Sequence, residues 1–170
     1  SEAINPNATD SDTTGDETTA DILDDDLPQK DYGGYNFRIL GADVDIPMLL
    51  EDEITGSLVS DAVYNSNATV EERFNIELIQ VKLSNWADSK TIKAMIMSGS
   101  DDFDIGVCHD CTAGDLSLEG LFVNLYDLPN LDFDKPWWPS FTVDGLTLNG
   151  RMYLFSNYIG YNGLRGTKTM

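Results

Sequence analysis

The run Cys108-His109-Asp110-Cys111 gathers two thiols, an imidazole and a carboxylate within four positions. A C-x-x-C pair exchanges disulfides when its first cysteine lies at a helix N-terminus, where the helix dipole favours the thiolate. An apolar strand is expected to lead into this pair and a Thr112-Ala113-Gly114 loop to follow, which leaves no helix start beside the thiols. A closed structural zinc site needs more ligands than two cysteines and one histidine, the chain's whole supply, so no metal is expected. The plain readings are a local disulfide between Cys108 and Cys111 or two free thiols. His109 and Asp110 remain of interest whatever the thiols do.

The tryptophans offer a different chemistry. Sugar rings carry apolar C–H faces that pack on indole, and the indole N–H can donate at the edge. Trp137-Trp138, framed by Pro136 and Pro139, could serve in this way. Tandem aromatics beside prolines more often anchor a loop, and here they would pin the irregular segment 132–141. Trp86 is the better ligand candidate because it follows an expected strand directly. Enzyme chemistry has little support: His109 has no accompanying nucleophile motif, and neither a P-loop nor G-x-G-x-x-G occurs. Glu71-Glu72 and Asp101-Asp102 are adjacent pairs whose side chains diverge, unlike a glycosidase pair. The expected chain is a non-enzyme without cofactor.

These residues must be positioned by regular elements. Tyr35 to Leu40 alternates apolar and polar residues behind Gly33-Gly34 and predicts a strand. Val59, Ala62, Val63, Val70 and Phe74 recur at helical spacing, which predicts a helix from Ser57 to Phe74. Ile76 to Leu83 reads as a second strand. A second helix runs from about Asp88, a candidate N-cap, to Ser98 and stops at Gly99. Phe103 to Cys108, nearly all apolar, reads as a buried third strand. The order β-α-β-α-β predicts an α/β fold: an open, mainly parallel sheet with helices on both faces. Ligands of such sheets sit beyond the carboxyl ends of the strands. That rule gathers Asp43, Trp86, His109 and Asp110 on one rim, from three separate loops.

Composition narrows the partners. The chain has 170 residues and a net charge of -20, from 30 acidic and 10 basic side chains. So acidic a surface repels phosphate backbones and anionic headgroups, so no nucleic acid is expected. No stretch approaches the ~20 apolar residues of a membrane span, and Ser1-Glu2-Ala3 does not open a signal peptide. Residues 1–28 carry nine acids, no lysine or arginine and no aromatic residue. They cannot bury enough apolar surface to offset ordering entropy, so residues 1–30 read as an acidic flexible linker and 31–170 as the globular part. Asp10, Asp12, Thr14, Gly15, Asp16, Thr18 and Asp21 approximate an EF-hand loop. Thr14 at the fifth position, Asp21 at the twelfth and the lack of flanking amphipathic helices favour solvated linker instead. Asn7-Ala8-Thr9 and Asn67-Ala68-Thr69 match the glycosylation sequon, the second inside an expected helix.

Three stretches, in order, carry a family likeness. The first is Asp31-Tyr-Gly-Gly-Tyr-Asn-Phe-Arg-Ile-Leu40, and the second runs from Ser60-Asp-Ala-Val-Tyr64 through Val70-Glu-Glu-Arg-Phe-Asn-Ile76. The third is Met97-Ser-Gly99 with Asp102-Phe-Asp-Ile105, then Gly120-Leu-Phe-Val-Asn-Leu125 and Lys135-Pro-Trp-Trp138. Over roughly residues 28–155 the chain resembles the first lobe of sugar-type extracellular solute-binding proteins that feed ABC importers. The resemblance implies a periplasmic-binding-protein-like lobe, incomplete here because members are far longer and continue into a second lobe. It also implies export and a lipid anchor on a cysteine upstream of Ser1, the leader acting as spacer at the extracellular face of the membrane. The implied partners are a small solute, a carbohydrate by class, and the importer's membrane permease. The candidate ligand contacts remain those read from the strand edge and the indoles: Asp43, Trp86, His109, Asp110, Trp137 and Trp138. Two rivals stand beside it: a C-x-x-C thiol–disulfide oxidoreductase, and a surface interaction module without a transport role.

Overall fold

A computed structural model describes residues 25–42, 49–85 and 88–155. The EF-hand-like spacing and the first sequon lie outside the described residues, as do Asp43 and Trp86. Six of the elements make the α/β body: β1 (Tyr35–Ala42), α1 (Leu58–Phe74), β2 (Ile76–Leu83), α2 (Ser89–Ser98), β3 (Ile105–Gly106) and α3 (Asp110–Leu118). A single 3-10 turn at Leu125–Asp127 and a short helix, α4 (Ser140–Leu146), follow.

All pairing in the sheet is parallel, with strand order β2-β1-β3. β1 and β2 pair over their full lengths, from Tyr35 opposite Ile76 to Ala42 opposite Leu83. The chain therefore leaves β1 in one direction across the sheet and returns past it in the other. Parallel crossovers are right-handed almost without exception, so this reversal puts α1 and α2 on opposite faces. The result is a small, partial α/β open sheet.

Local chemistry explains where the elements stop. Asn75 takes the left-handed conformation after α1 (φ 49°), which short polar side chains tolerate, and its amide donates to Asp31 Oδ1 at 2.7 Å. The Tyr32 and Gly34 amides bond the carbonyls of Phe74 and Asn75 at 2.9 and 2.8 Å, so the end of α1 and the approach to β1 are tied together. Asp88 caps α2 by accepting from the Thr91 N–H at 3.0 Å, and Gly99 ends it at φ 68°.

Two elements differ from expectation. β3 covers two residues rather than the six from Phe103 to Cys108. The Asp104 carboxylate takes the Arg38 N–H at 2.7 Å, a donor that a longer β3 would pair with a backbone carbonyl. α3 was not foreseen, because the Thr112-Ala113-Gly114 run reads as loop. The helix starts there because His109 Nδ1 and Asp110 Oδ1 both accept from the Cys111 N–H, at 3.4 and 2.8 Å. The His109 carbonyl takes the Ala113 N–H at 2.9 Å, and buried Thr112 and Leu116 then fasten one face, four positions apart.

The core gathers Leu40 of β1, Leu83 of β2, Ile92 of α2 and Leu116 of α3, each at most 4% exposed. Val81, Met95, Ile96, Phe103, Cys108 and Phe122 pack around them. Burying each such side chain stabilises by about 1.5–3 kcal/mol at most. Among the described residues the opposite face is thinly covered: no residue of α1 is buried, and Leu58 and Val59 are exposed. Residues 25–30 have no regular structure but touch the body, where Asp25 pairs with Arg73 at 2.5 Å and Asp26 with Lys135. The Arg73 guanidinium holds the Asp25 carboxyl down at about 2.

Candidate functional site

The parallel register brings Ala42 of β1, Leu83 of β2 and Gly106 of β3 to one edge of the sheet. Strand order reverses between β1 and β3, and in open α/β sheets the crevice at such a switch point is where ligands bind. Asp43 directly follows β1 and Trp86 follows β2 by three positions, although neither is a described residue. His109 and Asp110 follow β3 and open α3 at the same edge.

His109, Asp110 and Cys111 converge tightly. His109 Nδ1 stands 2.6 Å from Asp110 Oδ1 and 2.9 Å from Cys111 Sγ. The side chains of His109 and Asp110 are 40% and 81% exposed, so the cluster is open to solvent. One donor atom from each of the three residues falls within 4.8 Å of the other two, a spacing that could hold a metal ion. Sequence reasoning set metal aside by counting cysteines and histidines and did not weigh Asp110 as a ligand beside Cys111. The signal available was three consecutive donor side chains at a strand-to-helix corner.

Both cysteines carry free thiols in this structure. The expected loop after Cys111 is instead the first turn of α3, so the C-x-x-C does stand at a helix N-terminus. The polarity of the pair is reversed from what exchange chemistry needs. Cys108, which precedes the helix, is half-buried against the core, and that burial pushes its thiol up, with the neighbouring Cys111 adding to the effect. Exposed Cys111 lies inside the first turn.

Trp137 and Trp138 part company. Trp138 packs edge-on against Phe155 at 4.8 Å between ring centroids and tilted against Phe133 at 5.0 Å, and Phe133 also meets Tyr126 at 5.2 Å. This four-ring cluster pins the segment before α4. Trp137 is 38% exposed, with the Lys135 ammonium 5.8 Å from its ring centre.

A charged clamp fixes the other end of β3. Arg38 on β1 contacts Asp104 through Nε at 3.1 Å and Nη2 at 3.0 Å, reaches Asp101 Oδ1 at 3.0 Å, and also bonds the Asp101 carbonyl. The Tyr35 hydroxyl donates to Asp104 Oδ1 at 2.7 Å. The guanidinium foremost holds the Asp104 carboxyl at about 2, and the hydrogen bond to that carboxylate pushes the Tyr35 hydroxyl up against the opposing pull of Arg38. The clamp ties Asp104, just before β3, to β1, and the Arg38 and Asp104 side chains are each only 20% exposed.

A shallow open groove of about 390 Å³ runs between α2 and α3, lined by Ser89, Lys90, Lys93, Asp115, Leu118 and Glu119. The Lys93–Glu119 ion pair, 2.5 Å long, spans it, and neither His109 nor Asp110 lines it. No described helix is long and apolar enough to cross a membrane. No protein-family model, curated protein or solved structure significantly matches the chain.

Proposed function

We propose that the chain is the first-lobe portion of an extracytoplasmic solute receptor serving an ABC importer, and that it captures a small carbohydrate reversibly. The observation that carries the reading is the β2-β1-β3 order, which makes a switch point at the carboxyl edge where three loops leave the strands. In sequence Asp43 follows β1 and Trp86 follows β2, and His109 and Asp110 follow β3 where α3 begins. Stacking on indole and hydrogen bonds from sugar hydroxyls to carboxylates suit such a set, and a net charge of -20 favours neutral over anionic solutes. The family resemblance over roughly residues 28–155 adds the partners: a membrane permease and a lipid anchor at the extracellular face. Because the first cysteine of the C-x-x-C is the half-buried one, with its thiol pushed up, thiol exchange is the weaker alternative.

The test is calorimetric titration of the natural gene product with a panel of neutral mono- and oligosaccharides. Saturable binding is expected for at least one, and Trp86→Ala should weaken it by about 1–3 kcal/mol, the cost of losing a packed aromatic anchor. The melting temperature should hardly move. No saturable heat across the panel would overturn the reading, and unchanged affinity with a large melting loss would remove Trp86 from the site.

A further inference from the structure

We propose that His109, Asp110 and Cys111 form an open, three-ligand site for a borderline-soft divalent cation of the zinc type. Independently of any receptor role, the three side chains are crowded: His109 Nδ1 lies 2.6 Å from a carboxylate oxygen and 2.9 Å from a sulfur. All three atoms are common ligands of divalent metals, and a proton on Nδ1 or on the thiol can bridge the contacts only one at a time. One proton on Nδ1 satisfies a single one of these contacts. A cation at the common vertex satisfies all of them, and the 4.8 Å limit on their separations suits ligands around one ion.

Ligand type selects the metal. Imidazole nitrogen and thiolate sulfur favour zinc and its neighbours over magnesium and calcium, which prefer all-oxygen cages. Three protein ligands in an exposed cluster leave a coordination position for water or an external ligand, as in catalytic rather than structural zinc sites. The α3 N-terminus opposes a cation with about half a positive charge. A bound thiolate and a carboxylate supply two negative charges against it. Backbone geometry assists: the strand-to-helix corner holds His109 extended at φ -61°, ψ 145°, and the next two residues begin the helix.

Cobalt(II) is the probe, titrated into the full chain under reducing conditions, because thiolate ligation gives an intense near-ultraviolet charge-transfer band. The band should appear at one equivalent, be displaced by zinc and survive millimolar magnesium. Cys111→Ser should abolish it. His109→Asn, which keeps an N-cap side chain while removing the imidazole, should weaken affinity at least about tenfold. Cys108→Ser should leave it intact. Far-ultraviolet circular dichroism on each variant confirms the fold, and His109→Asn decides the matter if Cys111→Ser misfolds. Absence of the band, its loss to magnesium, its persistence in Cys111→Ser or its disappearance in Cys108→Ser would each overturn the assignment.

Discussion

Asp104 is the residue on which attachment of β3 turns, and Asp104→Ala should release that strand. Only Ile39 opposite Ile105 and Leu40 opposite Gly106 pair the two strands, while the Asp104 carboxylate serves the Arg38 backbone, the guanidinium and Tyr35 together. Lowering that carboxyl from 3.8 to about 2 corresponds to roughly 2 kcal/mol, since one pH unit is worth about 1.4 kcal/mol. The Asp104 and Arg38 side chains are each 20% exposed, and screening trims the figure to about 1 kcal/mol. Leaving the Arg38 N–H without its acceptor adds about 0.5–1.5 kcal/mol. A loss of about 1.5–2.5 kcal/mol is therefore expected in urea denaturation near neutral pH. Amide exchange should accelerate at Val107, whose N–H bonds the Leu40 carbonyl at 2.7 Å, more than at Leu83 in β2. The acid dependence has a definite sign. A depressed folded value means the contribution is complete above the unfolded value near 3.8 and disappears as pH falls toward about 2. The difference between wild type and variant should thus narrow over that window. A difference below about 0.3 kcal/mol near neutrality, or one that persists undiminished at the acid end, would refute the reasoning.

Two further perturbations test the packing. Trp138→Ala should cost about 2–4 kcal/mol in a denaturant melt because it removes the centre of the Phe133–Phe155 contacts, whereas exposed Trp137→Ala should cost less than about 1 kcal/mol; equal losses would contradict the division of roles. Asn67→Ala should cost about 1–2 kcal/mol, since the amide donates to the Leu49 carbonyl at 2.9 Å and accepts from the Glu51 N–H at 3.1 Å. A neutral result there would mean the loop stays on α1 without it.

The sheet and its two long helices were legible because several local signals agreed at each boundary. Ile76–Leu83 is the clearest case: Asn75 closes α1, and the strand begins at the next residue. Asp88 and Gly99 likewise bracket α2. α3 was hidden because its buried face uses Thr112 with Leu116, so hydrophobic periodicity is broken by a polar residue and Gly114 suggests a loop. β3 was read too long because apolar composition cannot reveal that Asp104 reaches across 66 positions to Arg38. The site was legible in outline, as strand ends at one edge, with His109 and Asp110 side by side there. The convergence of Cys111 with them depends on helical turn geometry that spacing in a loop does not supply. The packing of Trp138 on Phe155 is a tertiary fact with no local signature.

The strand order also sets a timetable. β1 is translated first yet needs neighbours on both sides, and these arrive late: Ile76 comes 41 positions after its partner Tyr35, and Gly106 comes 66 after Leu40. Closing the longer loop costs only slightly more entropy than closing the shorter, so the delay comes from waiting for the polypeptide to emerge. Until then one rim of β1, with the Arg38 and Leu40 carbonyls that later receive Asp104 and Val107, remains bare. An unpaired strand rim is a template for a neighbouring nascent chain. The vulnerable interval therefore ends when residues 104–107 dock on β1, and any delay between β1–β2 pairing and that docking would favour intermolecular pairing over the native sheet.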